Sequence, residues 1–234
     1  MKKQNSEVSS AVNLMALAKS IYHETLMMGF ETSDYIKLTN EILGMTIEKK
    51  EISEIHPEIR IIEDDYKFPL ITKNLKIREF SEKKDKKIAE KWFENETSRQ
   101  FLLSTTTHQN INKEFILSDN KNKFATITLK NDLQIGLLAI LNIDNQNKKG
   151  EMRKLIGDLE YRGKGFAKEA SIKWIEYCTN FLGLNKIYIN TIETNINNIS
   201  LNRQIGFEIE GLFKKDLIID GIEHDVLRMA YFKP

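Results

Sequence analysis

A glycine-rich turn between a strand pattern and a helix pattern constrains the fold of this chain more than any other feature. The turn EYRGKGFAKEA (160–170) follows the apolar run EMRKLIGD (151–158) and leads into the helical pattern of residues 167–183. A strand, a turn and a helix start in this order offer free backbone N–H groups and the positive end of a helix dipole. The segment therefore predicts a site for an anion such as a phosphate.

The side chains of the turn agree with that prediction. Gly163 and Gly165 carry nothing that would hold phosphate oxygens away, and Ala167 keeps the first helical turn small. Arg162 and Lys164 add positive charge. The Rossmann and P-loop patterns are both absent, so a different class of phosphate binder is required. The glycine content alone leaves an ordinary strand-to-helix turn open as the alternative.

The chain from residue 74 onward mixes strand and helix patterns. Helices are predicted behind Ser81, with Ile88, Ala89 and Trp92 as one apolar stripe, after the glycine turn, and in a short segment that ends at Gly206. Strands are predicted at residues 75–80, 124–130, 134–144, 151–158 and 186–192, and in a closing hairpin around Asp220-Gly221. The absence of strict alternation predicts an α/β fold with a mixed, largely antiparallel sheet flanked by helices.

Residues 1–50 are predicted to form a helical extension. Apolar residues recur at three- and four-residue steps in two segments; Gly29 can end the first helix, and Thr32 or Ser33 can cap the second. Two helices cannot bury their apolar faces alone, so we expect them to pack on the rest of the chain, on a copy of themselves or on another protein. A homodimer through these helices, or docking, is the preferred expectation. Residues 51–73 are predicted to be a linker.

Composition excludes several function classes. Lys plus Arg is 35 against 34 for Asp plus Glu, so no overall field predicts a nucleic-acid or anionic-membrane partner. Cys178 is the single cysteine, which excludes an internal disulfide and a cysteine-built zinc site, and no metal site is predicted. No apolar run approaches the roughly 18 residues that a membrane span needs. We therefore expect a soluble protein of the reducing cytoplasm.

The turn Arg162-Gly163-Lys164-Gly165-Phe166-Ala167 resembles the Q/R-x-x-G-x-G/A signature of the GNAT superfamily of N-acetyltransferases, whose turn grips the pyrophosphate of coenzyme A. The surroundings resemble the branch that includes ribosomal-protein N-terminal acetyltransferases. The similar segments are NLKIREFSEKKDKKIAEKW, GEMRKLIGDLEYRGKGFAKEA, NTIETNINNISLNRQIGFEIEG and IIDGIEHDVLRMAYF. The resemblance spans residues 74–234 and leaves residues 1–70 outside it.

The resemblance implies a GNAT fold that binds acetyl-CoA. In that family the central strand and its neighbour splay apart after a bulge, and the pantetheine arm lies in the gap like an added strand. Here it implies that the backbone of Leu155, Ile156 and Gly157 meets the arm, that residues 162–167 hold the pyrophosphate, and that Asn195 approaches the cofactor. The thioester would lie near residues 152–155, where a backbone N–H can stabilise a developing oxyanion.

A general base is expected, because an amine with a pKa near about 10 is mostly protonated at neutral pH and then has no lone pair for attack. Glu151 is the first candidate: it begins the central strand, matches a position that is frequently acidic in the family, and shares a face with Arg153 by alternation. An exposed glutamate at a strand end is the alternative. Glu160 and His224 are weaker candidates.

The general acid is less clear from the sequence. Many family members place a tyrosine four residues before the glycine of the segment matching IGF, and this chain has Asn202 there. Asparagine cannot act as an acid, although it can hydrogen-bond the thiolate sulfur or an ordered water. Tyr161 and Tyr188 are substitutes, with aromatic packing as the expected role of both.

The acceptor site is expected around WFENETSRQFLLSTTTH, where Thr105, Thr106, Thr107 and His108 can meet a polar substrate. This run resembles family members acting on amino-sugar nucleotides, and also occurs with variations in protein N-terminal acetyltransferases and polyamine acetylases. The sequence thus predicts an acetyl-CoA-dependent N-acetyltransferase acting on a primary amine of a small molecule, with an amino-sugar nucleotide placed first. Protein N-terminal or polyamine acetylation, and a non-catalytic acyl-CoA-binding scaffold, remain open alternatives.

Overall fold

The structure is a computed structural model of the chain of 234 residues. The residues that it describes are 17–47, 67–94, 98, 121–192, 195–219 and 221–234. They belong to two compact units, divided between residues 54 and 55.

The first unit contains the predicted helical hairpin. Residues 17–27 are helical (α1), and the second helix is α2 (Thr32–Ile47). Gly29 ends α1 as predicted: it has φ +83°, its N–H donates to the Leu26 carbonyl at 3.1 Å, and the Phe30 N–H donates to the Thr25 carbonyl at 3.1 Å. These two bonds form a Schellman motif, which satisfies carbonyls that the helix leaves without partners.

The start of α2 differs from the prediction. Thr32 and Ser33 lie inside the helix, and Glu31 occupies the cap position. The Glu31 N–H donates to the Asp34 carboxylate at 3.0 Å, which is the reciprocal half of a capping box. This bond, followed by the contact with Lys37, lowers the pKa of Asp34. A carboxylate one turn into the helix therefore does the capping that the sequence assigned to a hydroxyl.

Tyr35 joins the two helices. Its hydroxyl accepts a hydrogen bond from the Thr25 hydroxyl at 2.9 Å, and its ring centroid lies 5.6 Å from that of Tyr22 and 5.9 Å from that of Phe30. The hairpin still leaves Met27 88% exposed, so much apolar surface remains uncovered.

The second unit is built on one eight-stranded sheet with the order β1-β2-β3-β4-β5-β6-β8-β7. Its strands are β1 (Leu70–Ile71), β2 (Leu75–Glu79), β3 (Lys123–Leu129), β4 (Gln134–Asp144), β5 (Lys149–Ile156), β6 (Lys186–Ile192), β7 (Glu208–Ile219) and β8 (Ile222–Phe232). Only β5 and β6 pair in parallel; the other neighbours are antiparallel. The predicted mixed, largely antiparallel α/β fold is confirmed.

Three helices accompany the sheet in the part of the chain that the structure describes. They are α3 (Glu82–Phe93), α4 (Phe166–Glu176), which continues into a π-helical turn (Tyr177–Phe181), and α5 (Ile196–Gln204). Most residues of the predicted apolar stripes are buried: Ala89 and Trp92 in α3, and Ala170, Trp174, Ile175 and Cys178 in α4 and the turn after it. Ile88, the third residue of the α3 stripe, is partly buried against the same cluster. Ala89 and Trp92 pack with Leu137, Ala139 and Leu155 of β4 and β5, so α3 covers the centre of the sheet.

Strand β1 lies inside the segment that the sequence predicted as linker. Leu70 pairs with Ile77 of β2 and is only 2% exposed. The preceding Phe68 ring lies 5.2 Å from the ring of Tyr177. A strand of two residues has no periodicity to detect, and burial of Leu70 is what attaches the segment to the sheet. Residues 51–66 of the predicted linker lie outside the described residues.

The two central strands separate along their length. β5 and β6 pair only from Lys149 opposite Lys186 to Glu151 opposite Tyr188, whereas β6 stays paired with β8 as far as Ile192. β4 has a register shift against β5 between residues 141 and 144. A gap therefore opens between β5 and β6 beyond Glu151, in agreement with the splay that the resemblance implied.

A buried carboxylate fixes the start of α3 against the sheet. Asp85 is fully buried and accepts hydrogen bonds from the Arg78 guanidinium at 2.6 and 2.7 Å, the Ser81 N–H at 2.7 Å and the Thr126 hydroxyl at 2.8 Å. The Gln134 amide donates to it as well. Burial raises the pKa of Asp85, but the bonds from Arg78, Ser81 and Thr126 outweigh burial and lower it. The carboxylate is thus held ionised.

Replacing Asp85 with Asn is expected to cost about 3 kcal/mol of folding free energy at pH 7, because it leaves a partly buried Arg78 without its counter-ion. Since the folded-state pKa of Asp85 is lowered, its stabilisation is present above the unfolded pKa of about 3.9 and is lost as pH falls through the folded value. Urea unfolding at pH 7 and pH 3, followed by circular dichroism, should show less acid destabilisation in the variant than in the wild type.

Asp132→Asn is the matched control, since Asp132 forms an exposed ion pair with Lys76. Its urea midpoint should stay at the wild-type value. An Asp85→Asn variant with that same midpoint at pH 7 would contradict the structural role of the buried carboxylate.

Candidate functional site

The gap between β5 and β6 forms a cleft of about 700 Å³ that is bounded by residues of α4 and α5. Most of the residues predicted to bind a cofactor line it: Leu155, Ile156, Arg162, Gly163, Gly165, Phe166, Ala167 and Asn195. The other two, Gly157 and Lys164, are outside the lining. The structure thus brings together residues from three separate segments of the chain.

Every second residue of β5 points its backbone N–H and C=O groups into the gap. The Gly157 N–H donates to the Ile135 carbonyl of the β4 side at 2.9 Å. Successive residues of a strand point their N–H and C=O groups to opposite edges, so Leu155 shares the β4 side with Gly157. Lys154 and Ile156 point their backbone groups towards β6, into the gap. Edge groups of this kind can pair with an extended ligand.

Arg162 anchors the glycine turn to the end of β5. Its Nε donates to the Ile156 carbonyl at 2.8 Å, and a terminal nitrogen donates to the Ser98 hydroxyl at 2.9 Å. The Ile156 carbonyl is therefore engaged by a side chain of the turn. The guanidinium that the sequence assigned to pyrophosphate binding also holds the turn in place.

The turn itself has the geometry of an anion site. Gly163 and Gly165 have φ values of +73° and +82°, and a Cβ at either position would meet no atom within 4 Å. Gly165 is the cap residue of α4, whose first N–H groups have no partner within the helix. Lys164 stacks over the Tyr161 ring at 5.2 Å. Open space, free N–H groups and a helix dipole converge here, and they fit a diphosphate.

A chain of side-chain hydrogen bonds crosses the cleft from β5 to β6. Lys154 Nζ donates to Asn202 Oδ1 on α5. Asn202 Nδ2 donates to Asn198 Oδ1 at 3.2 Å, and Asn198 Nδ2 donates to Thr191 Oγ1 on β6 at 3.2 Å. Asn195 caps α5 by accepting the Asn198 N–H at 3.3 Å. We call Lys154, Asn202, Asn198 and Thr191 the amide chain.

Sequence reasoning missed Lys154. It is half-buried, it lines the cleft, and burial lowers its pKa to about 7. The signal was present: in the strand EMRKLIG, a lysine stands directly before the apolar residues Leu155 and Ile156. Asn202, expected near the departing sulfur, is fully buried and reaches the cleft through Lys154.

Glu151 is at the point where β5 and β6 part. It is only 2% exposed, so it is not the exposed strand-end glutamate considered as the alternative. It forms an ion pair with Arg153, as their shared face predicted, and accepts from the amides of Asn142 and Asn190 at 3.2 Å each. Burial lowers the pKa of Arg153, and Glu151 opposes that effect. The Arg153 Nε has no hydrogen-bond partner among the described residues.

A second guanidinium lies beside this pair. Arg228 Nε donates to Asn190 Oδ1 at 3.0 Å, and the Arg228 guanidinium stacks between the rings of Tyr188 at 4.8 Å and Phe213 at 4.7 Å. We call Arg153, Asn190 and Arg228 the arginine cluster. Burial raises the pKa of Tyr188, and the charge of Glu151 raises it further. Tyr188, which the sequence analysis considered as a substitute general acid, is therefore a weaker acid than an exposed tyrosine.

Of the remaining candidates, Tyr161 lines the cleft, and Glu160 and His224 do not. Glu160 is exposed in the 3-10 turn Leu159–Tyr161, and His224 is half-buried on β8 opposite Leu217. Residues 105–108 lie outside the described residues. Within the described part of the chain, no cluster of His, Cys, Asp and Glu has the arrangement of a metal site, and no helix is both long and apolar enough to cross a membrane.

Residues 74–208 match the model of the acetyltransferase (GNAT) domain. The chain is 27% identical over 128 residues to a spermidine N(1)-acetyltransferase of Vibrio cholerae, covering 55% of this chain and 68% of that protein. It is 30% identical over 98 residues to the spermidine N(1)-acetyltransferase of Escherichia coli K12, covering 42% of this chain and only 52% of that protein. A putative ribosomal N-acetyltransferase of Bacillus subtilis is 26% identical, with 57% of this chain and 75% of that protein covered.

The fold is also similar to solved structures. A Vibrio cholerae spermidine N-acetyltransferase in complex with CoA and spermine superimposes with a TM-score of 0.60 at 22% identity, covering 68% of this chain and 95% of that one. The cleft that the splayed strands form here is thus part of a fold shared with a CoA-binding protein.

Proposed function

Because the chain belongs to the GNAT acetyltransferase family, we propose that it transfers the acetyl group of acetyl-CoA to a primary amine of a polyamine such as spermidine. The observation that carries this proposal is the gap between β5 and β6, which ends at a glycine turn and a free helix N-terminus. The relatives from Vibrio cholerae and Escherichia coli favour a polyamine over the amino-sugar nucleotide that the sequence placed first.

Residues on three elements would hold acetyl-CoA. We assign the diphosphate to the backbone of residues 162–167, the pantetheine arm to the β5 edge at Lys154, and further contact to Asn195. Bound acetyl-CoA supplies a thioester, whose carbonyl carbon is open to attack by an amine. The free edge of β5 and the glycine turn both bind through backbone groups, which no side-chain replacement removes.

Glu151 remains our proposal for the general base. Replacing it with Gln keeps the shape but removes the proton acceptor, so kcat should fall about 100-fold with little change in the KM of acetyl-CoA. Steady-state rates of thiol release measure both constants. Glu210→Gln, which removes the partner of Lys186 in a partly exposed ion pair, is the control and should keep the wild-type kcat. An unchanged kcat in Glu151→Gln, with a lower melting temperature, would assign Glu151 to structure alone.

The arginine cluster favours a second candidate. Two guanidinium groups suit an acceptor that carries a phosphate or carboxylate and repel a polycation; among the described residues, the Nε of one of them, Arg153, has no hydrogen-bond partner. An amino-sugar nucleotide has that chemistry. It therefore stays as the second candidate acceptor.

The deciding experiment is acetyl-CoA consumption across a panel of polyamines, amino-sugar nucleotides and N-terminal peptides. Turnover of spermidine is the expected result. Turnover of an amino-sugar nucleotide alone would replace the polyamine as the acceptor. Binding of acetyl-CoA without turnover of any amine would contradict the enzyme and leave the non-catalytic scaffold.

A further inference from the structure

Lys154 lines the cleft on the strand edge that we assign to the pantetheine arm. When the carbon–sulfur bond of a thioester breaks, its electron pair goes to sulfur, and a thiolate leaves more readily if it is protonated. A thiol has a pKa of about 8.5, so a donor with a lower pKa in the cleft can supply that proton. Such a donor would be a side chain of the cleft wall that carries an exchangeable proton.

Five lining side chains of the described residues carry a titratable N–H or O–H group: Arg153, Lys154, Tyr161, Arg162 and Lys168. Guanidinium groups keep their protons throughout the neutral range, which removes both arginines as donors. Tyr161 and Lys168 are at the glycine turn, where the diphosphate is assigned. Lys154 is the side chain that remains, and it is on the strand edge assigned to the pantetheine arm.

We propose that Lys154 is the general acid of the reaction, and that the amide chain orients its Nζ so that an N–H is left for the departing sulfur. This inference rests on the proposed function and adds the proton donor to it. An ammonium has three N–H donors, and Asn202 Oδ1 engages one of them. The Asn202 amide cannot turn round without losing its bond to Asn198, which itself is held by Thr191. Because an ammonium can only donate, Asn202 presents its amide oxygen to Lys154 and its Nδ2 to Asn198.

The surroundings of Lys154 explain how an ammonium becomes a useful acid. The groups shown next to it are uncharged: its Nζ donates to Asn202 of α5, and Leu138 is its cross-strand neighbour in β4. Beyond Asn202, the amide chain continues through the uncharged side chains of Asn198 and Thr191. Arg153, Arg162 and Lys168 are the charged side chains that line the same cleft. Burial without a counter-ion disfavours the charged form, so the pKa of about 7 leaves a large protonated fraction that gives up its proton readily.

Protons and electrons balance in this step. The amine nitrogen bonds to the acetyl carbon, the carbon–sulfur bond breaks towards sulfur, and Lys154 Nζ transfers its proton to that sulfur to give a thiol. The nitrogen of the new amide releases one proton to solvent or to the base. Lys154 regains one from solvent before the next turnover.

Lys154→Met tests the proposal with kinetics. We expect kcat to fall about 100-fold, while the KM of acetyl-CoA stays within about threefold. In the wild type, kcat should fall as pH rises through about 7, because the ammonium is lost; the variant should lack this alkaline limb. Lys154→Arg keeps the charge without a transferable proton, and we expect it to be as slow as Lys154→Met. Full activity in Lys154→Arg would assign the role to charge and overturn proton donation.

The second readout does not depend on activity. In the full chain labelled with 13C-lysine, one Cε resonance should titrate near pH 7, and it should be missing from Lys154→Met. Lys149→Met is the matched control: this half-buried lysine begins the same strand outside the cleft lining, and its removal should leave the resonance and kcat in place. A Lys154 resonance that titrates near about 10, as an exposed lysine does, would overturn the proposal.

Asn202→Asp keeps the test decisive if Lys154→Met does not fold. A carboxylate beside Nζ favours the ammonium, so both the NMR midpoint and the alkaline limb of kcat should move to higher pH together. If the NMR titration midpoint of Lys154 moved while the alkaline fall of kcat stayed at the same pH, Lys154 would not be the proton donor. A wild type that acetylates no amine contradicts the proposed function, whereas a working wild type with an active Lys154→Met overturns this inference alone.

Discussion

Replacing Gly165 with Glu should raise the Kd of acetyl-CoA about 100-fold while the fold persists. The glycine caps α4 with φ +82°, and a Cβ there would meet no neighbouring atom, so the new side chain has room. The backbone conformation costs about 1 kcal/mol for a residue other than glycine. A carboxylate at a helix N-terminus is favourable by itself, which offsets part of that cost.

The loss of affinity comes from repulsion between like charges. At about 4 Å, two charges near a protein surface repel by about 4 kcal/mol, and exposure and salt reduce this to about 2 to 3 kcal/mol, or roughly 100-fold. Titration calorimetry gives the Kd, and acetyl-CoA should no longer raise the melting temperature. A steep dependence of the wild-type Kd on salt is also expected, because salt screens the attraction between the diphosphate and the positive end of the helix dipole.

Gly183→Glu is the control for backbone strain. Gly183 also has a positive φ, +68°, with no atom within 4 Å of a Cβ, and it follows the π-helical turn outside the cleft lining. This variant should lose a similar amount of stability and keep the wild-type Kd. If Gly165→Glu retained the protection by acetyl-CoA, the assignment of the diphosphate to the glycine turn would be wrong.

Gly157→Ala should destabilise the second unit by about 3 kcal/mol, the upper part of the range for overpacking. A Cβ at Gly157 would lie 2.0 Å from Trp92 Cδ2 and 2.3 Å from Trp92 Cγ. Trp92 is 6% exposed and packs on Leu137 and Leu155, so it cannot move without opening the core. Thermal unfolding should show a melting temperature lower by about 6 to 12 °C.

Gly211→Ala is the matched control, because Gly211 also lies in extended backbone and a Cβ there would meet no atom within 4 Å. Its melting temperature should stay within about 2 °C of the wild type. Equal melting temperatures for Gly157→Ala and the wild type would contradict the close approach of Trp92. The Kd of acetyl-CoA in Gly157→Ala separates the roles further, since the sequence assigned this residue to the pantetheine arm.

The sequence located most elements because each has a period of its own. Strands such as residues 134–144 alternate or run apolar, and α4 repeats its apolar residues at helical spacing, so local pattern and final position agree. Strand β1 escaped because two residues have no period, and α2 is capped by Asp34 because a side chain one turn later reaches back to Glu31. Both misses concern contacts between residues that the local pattern does not connect.

The candidate site divides in the same way. The glycine turn could be read from the sequence, because positive φ, small side chains and a helix start are local properties of residues 162–167. Burial of Glu151 with Arg153 required β4 and β6 on either side. Gly157 is an example of what the sequence could not predict. The sequence assigned it to the pantetheine arm, and the structure places Trp92 of α3 against it.

The sequence alone therefore determined most of the elements, the glycine-rich turn to which we assign the diphosphate, and the family that these imply. Only the tertiary structure decided the pKa of Lys154, the lysine in the strand EMRKLIG. Lys154 would be an ordinary ammonium in an isolated strand, and its pKa of about 7 exists because α5 and the walls of the cleft remove water from it without supplying a counter-ion. Desolvation depends on what surrounds a group from every side, and residues distant in the chain provide those surroundings.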